Sequence, residues 1–250
     1  MKIFLIYIML LPLIFSCSGP VKNDAAVVAT NSWTAAFAQA AGAKNIVVLA
    51  PYEMVHPTEY ELRAADIPLI VHAKVIIYAG YETMVKRIES GMDLKKDVLV
   101  RIETDYSMAT IEKSVMAIAQ RLGTEKIARE NLDTIRRLIN ESRAQFDRTG
   151  LNSTPVLVNF FQQSIVREMG FEAAAVFGPG SLEAADIDRL VKLRSGMIVD
   201  NMHNPVGKPL MNIQPGVAYR QLLNFPGSNQ TTDLLDVIRY NIRQLNPSAE

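Results

Sequence analysis

The sequence predicts an α/β protein of two lobes, each a parallel sheet with helical crossovers, bridged by one long helix. Three observations carry this. Short β-branched runs alternate with helical stretches over residues 26–104, and the same alternation restarts at Pro155. Between the two lies a proline-free stretch, Ser107 to Gly150, with apolar residues at steps of three and four. Strands alternating with helices imply parallel pairing, and a sustained helical period implies one long helix.

The 250 residues are 49% hydrophobic, enough for two cores and too apolar for disorder. Lys and Arg number 26, as do Asp and Glu, so there is no electrostatic footprint for nucleic acid. The single cysteine excludes a disulfide framework and a multi-cysteine zinc site.

In chain order, Lys2 precedes an apolar run from Ile3 to Phe15, and then Ser16-Cys17-Ser18-Gly19. The run is short for a membrane span, which needs about 20 apolar residues, and reads as a secretory signal. Leu13-Ile14-Phe15-Ser16-Cys17 resembles a lipobox, so residues 1–16 are expected to be removed, Cys17 lipidated and 17–25 left as a polar tether. A plain cleaved signal with an incidental cysteine is the alternative.

Residues 26–122 form the N-terminal lobe. Its strands are expected at 26–29, 46–49, 74–78 and 98–102, with a helix from Trp33 to Ala41 stopped by Gly42. The bridge, 123–150, places Ala128, Leu132, Ile135, Ile139, Ser142 and Phe146 on one face. From Glu125 to about Arg148 it would span ~35 Å, the width of a domain. Residues 151–250 form the C-terminal lobe: strands at 155–158, 173–176 and 196–199, helices at 162–169 and 186–193, and a last helix at 232–245.

This organisation resembles the solute-binding lipoproteins of zinc and manganese ABC importers. Val27 to Ser32 looks like that family's first strand and turn. Pro57, Tyr60-Glu61 and Asp66 fit its Asp-Pro-His-x-Tyr-Glu motif with a trailing Asp. Ala79-Gly80-Tyr81-Glu82 resembles its Asn-Gly-x-x-Glu segment, and Tyr240-Asn241 its closing helix. The departures fall on the metal ligands. Thr58 stands where the motif has its histidine, with His56 in the place of its Asp; the other family ligand positions fall on Glu103, near Asn159 and near Asn224.

The chain has three histidines. His72 precedes a strand and reads as a boundary residue. His56 and His203 each follow a strand, at the carboxyl edge where parallel sheets bind ligands. If the lobes face each other, the two approach one cleft from opposite sides. Imidazoles completed by carboxylates would hold a divalent transition metal, with Glu103, Glu59 and Asp200 as candidates. Two polar loops sharing no ligand, or an organic solute held by those loops, remain open. Glu61 and Glu82 read as helix-capping or lobe-stabilising carboxylates, Glu61 opening a helical stretch toward Ala65. Met54 and Met202 read as core filling. No Gly-x-Ser-x-Gly elbow or His-Glu-x-x-His motif is present, so no enzyme is expected.

The resemblance implies an exported, membrane-anchored, monomeric binding subunit that passes zinc or manganese to an ABC permease, with the metal as cargo and no organic cofactor. An organic or chelated-metal solute, or a non-transport envelope lipoprotein, are the alternatives.

Overall fold

Val27-Val28-Ala29 is buried on both faces, as a central parallel strand must be, and it seeds the first sheet. In the computed structural model, which describes residues 27–91, 94 and 96–246, this strand, β1 (Val27–Ala29), lies between β2 (Ile46–Val48) and β3 (Val75–Tyr78), and β4 (Leu99–Arg101) is outermost. All pairs are parallel. The signal sequence, Cys17 and the tether lie outside the described residues.

The second sheet repeats the plan. β5 (Val156–Asn159) lies between β6 (Ala173–Phe177) and β7 (Met197–Asn201), with β8 (Ala218–Leu222) outermost, again all parallel. In each sheet the chain goes first to one side of the opening strand and then to the other. Loops leaving the carboxyl ends therefore diverge and leave a crevice there.

Helices fill the crossovers. In α1 (Ser32–Ala40) the Asn31 side chain accepts from the Thr34 N–H while the Thr34 hydroxyl accepts from the Asn31 N–H. This reciprocal cap starts the helix one residue before the sequence-based start. The others are α2 (Asp66–Val71), α3 (Thr83–Gly91), α4 (Met108–Leu122), α6 (Gln163–Glu168), α7 (Ala184–Val191), α8 (Lys208–Ile213) and α9 (Leu234–Leu245).

The bridge is α5 (Glu125–Thr149), 25 residues or about 37 Å. Its buried face is Ala128, Leu132, Ile135, Ile139, Ser142 and Phe146, the six residues picked out by period alone. Gly150, at φ 70°, ends it in the left-handed region that favours glycine. That face belongs to a core running through both lobes: it joins Phe37 and Ile111 of the first to Val158, Val199 and Ile238 of the second. Two smaller cores lie on the outer sides, one around Ile70, Ile76 and Met84, the other around Leu157, Ile198 and Leu210. The lobes thus share their principal core instead of hanging on a flexible hinge. Among the described residues no helix is long and apolar enough to cross a membrane.

Glu61 departs from its expected role. No helix begins there; the helix begins at Asp66, and Glu61 is exposed, 3.9 Å from Arg87. Asp66 is the buried acid of that turn, accepting from the Tyr60 hydroxyl at 2.7 Å and the Arg63 N–H at 2.8 Å. Two elements, α8 and β8, extend the C-terminal lobe beyond the strands and helices read from the sequence.

Candidate functional site

The carboxyl edges of both sheets open onto one cavity of about 560 Å³. The turn after β1 brings Asn31 and Trp33, the loop after β2 brings His56 and Thr58, and the segments after β3 and β4 bring Tyr81 and Thr104. From the second sheet come Phe161 after β5, Asn201, His203 and Asn204 at the end of β7, and Asn224 and Phe225 after β8. Seven of the eight strand ends therefore meet here, which is where the switch-point rule puts a ligand. None of the described lining residues is Asp, Glu, Lys or Arg.

An aromatic seam crosses the lobes here, with Trp33, Phe225 and His203 lining the cavity and Tyr106 buried behind them. Tyr106 and Trp33 stack with centroids 5.9 Å apart, Trp33 meets Phe225 at 6.2 Å, and Phe225 stacks on His203 at 3.7 Å and 21°. The buried Tyr106 hydroxyl donates to the Asn224 carbonyl at 2.7 Å, a direct bond from the N-terminal to the C-terminal lobe. Nearby, Gly227 (φ 124°) lets the chain pass the Tyr52 carbonyl so closely that a Cβ would stand 2.7 Å from that oxygen. Such an approach is open to glycine alone.

The two expected histidines share this cavity. His203 is largely enclosed; burial first, and the neighbouring His56 second, push its imidazole down to about 4. At neutral pH it is therefore uncharged. Its backbone N–H donates to Asn201 Oδ1 at 2.9 Å, and its Nδ1 accepts from the Asn224 N–H at 3.4 Å. His56 is exposed in the loop facing it, and His72 is exposed at the end of α2.

The expected carboxylates do not join the histidines. Asp200 is fully buried behind the cavity wall and accepts from Asn159 Nδ2 (3.0 Å), the Asn201 N–H (2.8 Å), the Gly207 N–H (2.7 Å) and the Tyr219 hydroxyl (2.6 Å). Four donors occupy its lone pairs, so it holds the β7 turn together and has none left for a metal. Burial and this acid together raise the Tyr219 phenol. Glu103 is exposed and paired with Lys113 at 2.5 Å. Glu59 is exposed on the short turn Pro57–Glu59 and is not part of the lining. Among the described residues no group of three or more His, Cys, Asp and Glu is placed to hold a metal ion.

Glu82 is a lobe-stabilising carboxylate. Buried at 3% exposure, it accepts from Thr30 Oγ1 (2.6 Å), Asn31 Nδ2 (3.2 Å) and the N–H groups of Ala79 (3.0 Å) and Gly80 (2.7 Å). It ties the turn after β1 to the turn after β3 and so fixes one wall of the cavity. Met54 and Met202 pack against cores, as gap-fillers do. The sequence reading lacked Trp33, Phe225, Asn201 and Phe161 as site residues. Their signal was position: each lies within a few residues of a strand's carboxyl end.

No family model matches the sequence and no curated protein matches it significantly. Solved structures do match in shape. A Mn-bound periplasmic metal binding protein from candidatus liberibacter asiaticus superposes with TM-score 0.65 at 16% identity, covering 88% of this chain and 97% of the other. Its Cd-bound form matches with TM-score 0.65 at 17% identity, over the same shares of both chains. The solute-binding protein FpvC from P. aeruginosa, in complex with Ni2+, matches with TM-score 0.63 at 19% identity over 89% and 94% of the two chains. At these identities the likeness is one of fold. The chain thus shares its α/β fold with these structures over most of its length.

Proposed function

We propose that this chain is the capture subunit of an ABC importer, exported and held to a bacterial membrane through lipidated Cys17, which receives its cargo between the lobes and hands it to a membrane permease. In this reading residues 1–16 are the signal, 17–25 the tether, 26–122 and 151–250 the two lobes, and 123–150 the bridge. It works as a monomer, by binding and not by catalysis. The cargo contains a divalent transition metal, zinc or manganese, and His56 and His203, one from each lobe, are the side chains of the cavity that receive it. The observation that carries the reading is the meeting of seven strand ends from both sheets in one cavity that presents a histidine from each lobe. The fold shared with Mn-, Cd- and Ni2+-bound proteins supports it.

A second reading, an organic solute with no metal, is favoured by the absence of any carboxylate among the described lining residues. A non-transport scaffold is not favoured, since a scaffold has no use for a formed cavity between lobes. Elemental analysis of the protein isolated from its own membrane separates the first two. The metal reading predicts about one zinc or manganese per chain, the stoichiometry of a single site, and its loss in a His56→Ala/His203→Ala double variant. Metal-free wild type carrying an organic solute would overturn it in favour of the second reading.

A further inference from the structure

Resting on the metal-cargo reading above, we infer that the ion enters this cavity as a chelate, already wrapped by an acceptor-bearing organic ligand, and not as a bare cation. Three observations on the cavity lead there.

The first is the donor count. Zinc takes about four ligands and manganese about six, whereas the cavity supplies two imidazoles and no described carboxylate or thiolate. One of the two is already engaged. The N–H of Asn224 donates to His203 Nδ1 at 3.4 Å, so that nitrogen's lone pair is taken and Nε2 is left to present an N–H. That leaves His56 as the one open imidazole, with only neutral amide and hydroxyl groups such as Asn204 and Thr58 beside it, a weak set for a bare ion and one that a chelating cargo would complete.

The second is size. A volume of about 560 Å³ is far beyond a metal ion and within the range of small-molecule sites.

The third is the chemistry of the wall. Asn201 Oδ1 is taken by the His203 N–H and Asn224 Oδ1 by Gln162 Nε2. Both residues therefore have their NH2 groups to offer to cavity contents, beside the His203 Nε2–H. Three donors with no cation among them suit the oxygen or nitrogen acceptors of a chelator whose charge the metal has largely cancelled. Trp33 and Phe225, already packed against Tyr106 and His203, add apolar lining beside these donors. His56 then takes an open position on the metal, Asn201, Asn224 and His203 bind the chelator's acceptors, and the two aromatic residues line its apolar part.

Calorimetry on folded residues 18–250 tests this with zinc and manganese alone, with 8-hydroxyquinoline, catechol and salicylate alone, and with the one-to-one metal complexes of each. At least one complex is expected to bind about 100-fold tighter than either the bare ion or its free chelator, two decades in Kd. The exposed His56→Ala variant should reduce that complex to the affinity of the free chelator, and Asn224→Ala should weaken complex and chelator alike. Bare ions binding as tightly as the complexes would overturn the inference and leave the metal reading standing. Free chelators binding as tightly as their complexes would overturn both, in favour of a purely organic cargo. If no complex binds to the folded wild type, the inference fails.

Discussion

At the residue scale, the same side-chain type has opposite fates according to what surrounds it. Glu103 and Asp200 are both carboxylates on the carboxyl edge of a strand, yet one meets an exposed lysine and the other four buried donors. Asp200→Ala would leave the Tyr219 hydroxyl, the Gly207 N–H and Asn159 without their acceptor, and should cost about 3 kcal/mol or more. Glu103→Ala loses an exposed pair and should cost less than about 1 kcal/mol. Urea unfolding of the two variants checks the contrast; similar losses would contradict the assignment. His203 gives a pH prediction. The unfolded chain binds a proton at this residue near pH 6.5, but the folded chain only near 4. Between those values the unfolded state holds more protons, so stability from this residue is present above 6.5 and is lost as pH falls toward 4. His203→Gln should show a smaller drop in urea midpoint between pH 7 and 4.5 than the wild type. An equal drop would place the imidazole in water. Sequence position was enough to bring His56 and His203 to one cavity, since both follow strands. It could not show that Asp200 is saturated or Glu103 paired, because those partners come from distant segments: Tyr219 nineteen residues on, Asn159 forty-one residues back, Lys113 on the next helix.

At the element scale, legibility tracked periodicity. The bridging helix α5 has a long apolar stripe and a glycine stop, and both its bounds and its buried face were readable to within a residue. Strand β8 was not. Ala218-Tyr219-Arg220-Gln221-Leu222 carries no β-branched residue and is half-buried over most of its length, so it lacks the run that marks an inner strand. Helix α8 is six residues with Pro209 near its start, too short for a period to show. The α5 stripe carries the largest stability prediction. Ile139, buried in the core that joins the lobes, should cost about 2–5 kcal/mol when changed to Ala. Because that core is continuous, Ile139→Ala should still unfold in a single transition. Two separated transitions by calorimetry would show lobes that fold independently.

At the scale of the whole molecule, the shared core, the bridging helix and the Tyr106–Asn224 bond leave little freedom for a wide hinge. Capture should involve a small rocking of packed elements rather than large closure. Small-angle scattering should therefore show nearly the same radius of gyration with and without bound cargo, and a large compaction would contradict this. The two-lobe plan was legible because its signals are local and repeated along the chain. The seam of Tyr106, Trp33, Phe225 and His203 was not, for it joins residues up to 192 positions apart.

The central claim, that cargo sits between the lobes, has a built-in reporter. Trp33 is the chain's only tryptophan and it lines the cavity. Its emission should be followed while zinc, manganese and their chelates are added to residues 18–250, beside the His56→Ala/His203→Ala variant. The account predicts a change that saturates at one equivalent of the binding species and disappears in the variant. A calorimetric heat of binding with Trp33 emission unaltered would place the ligand elsewhere on the molecule and contradict it.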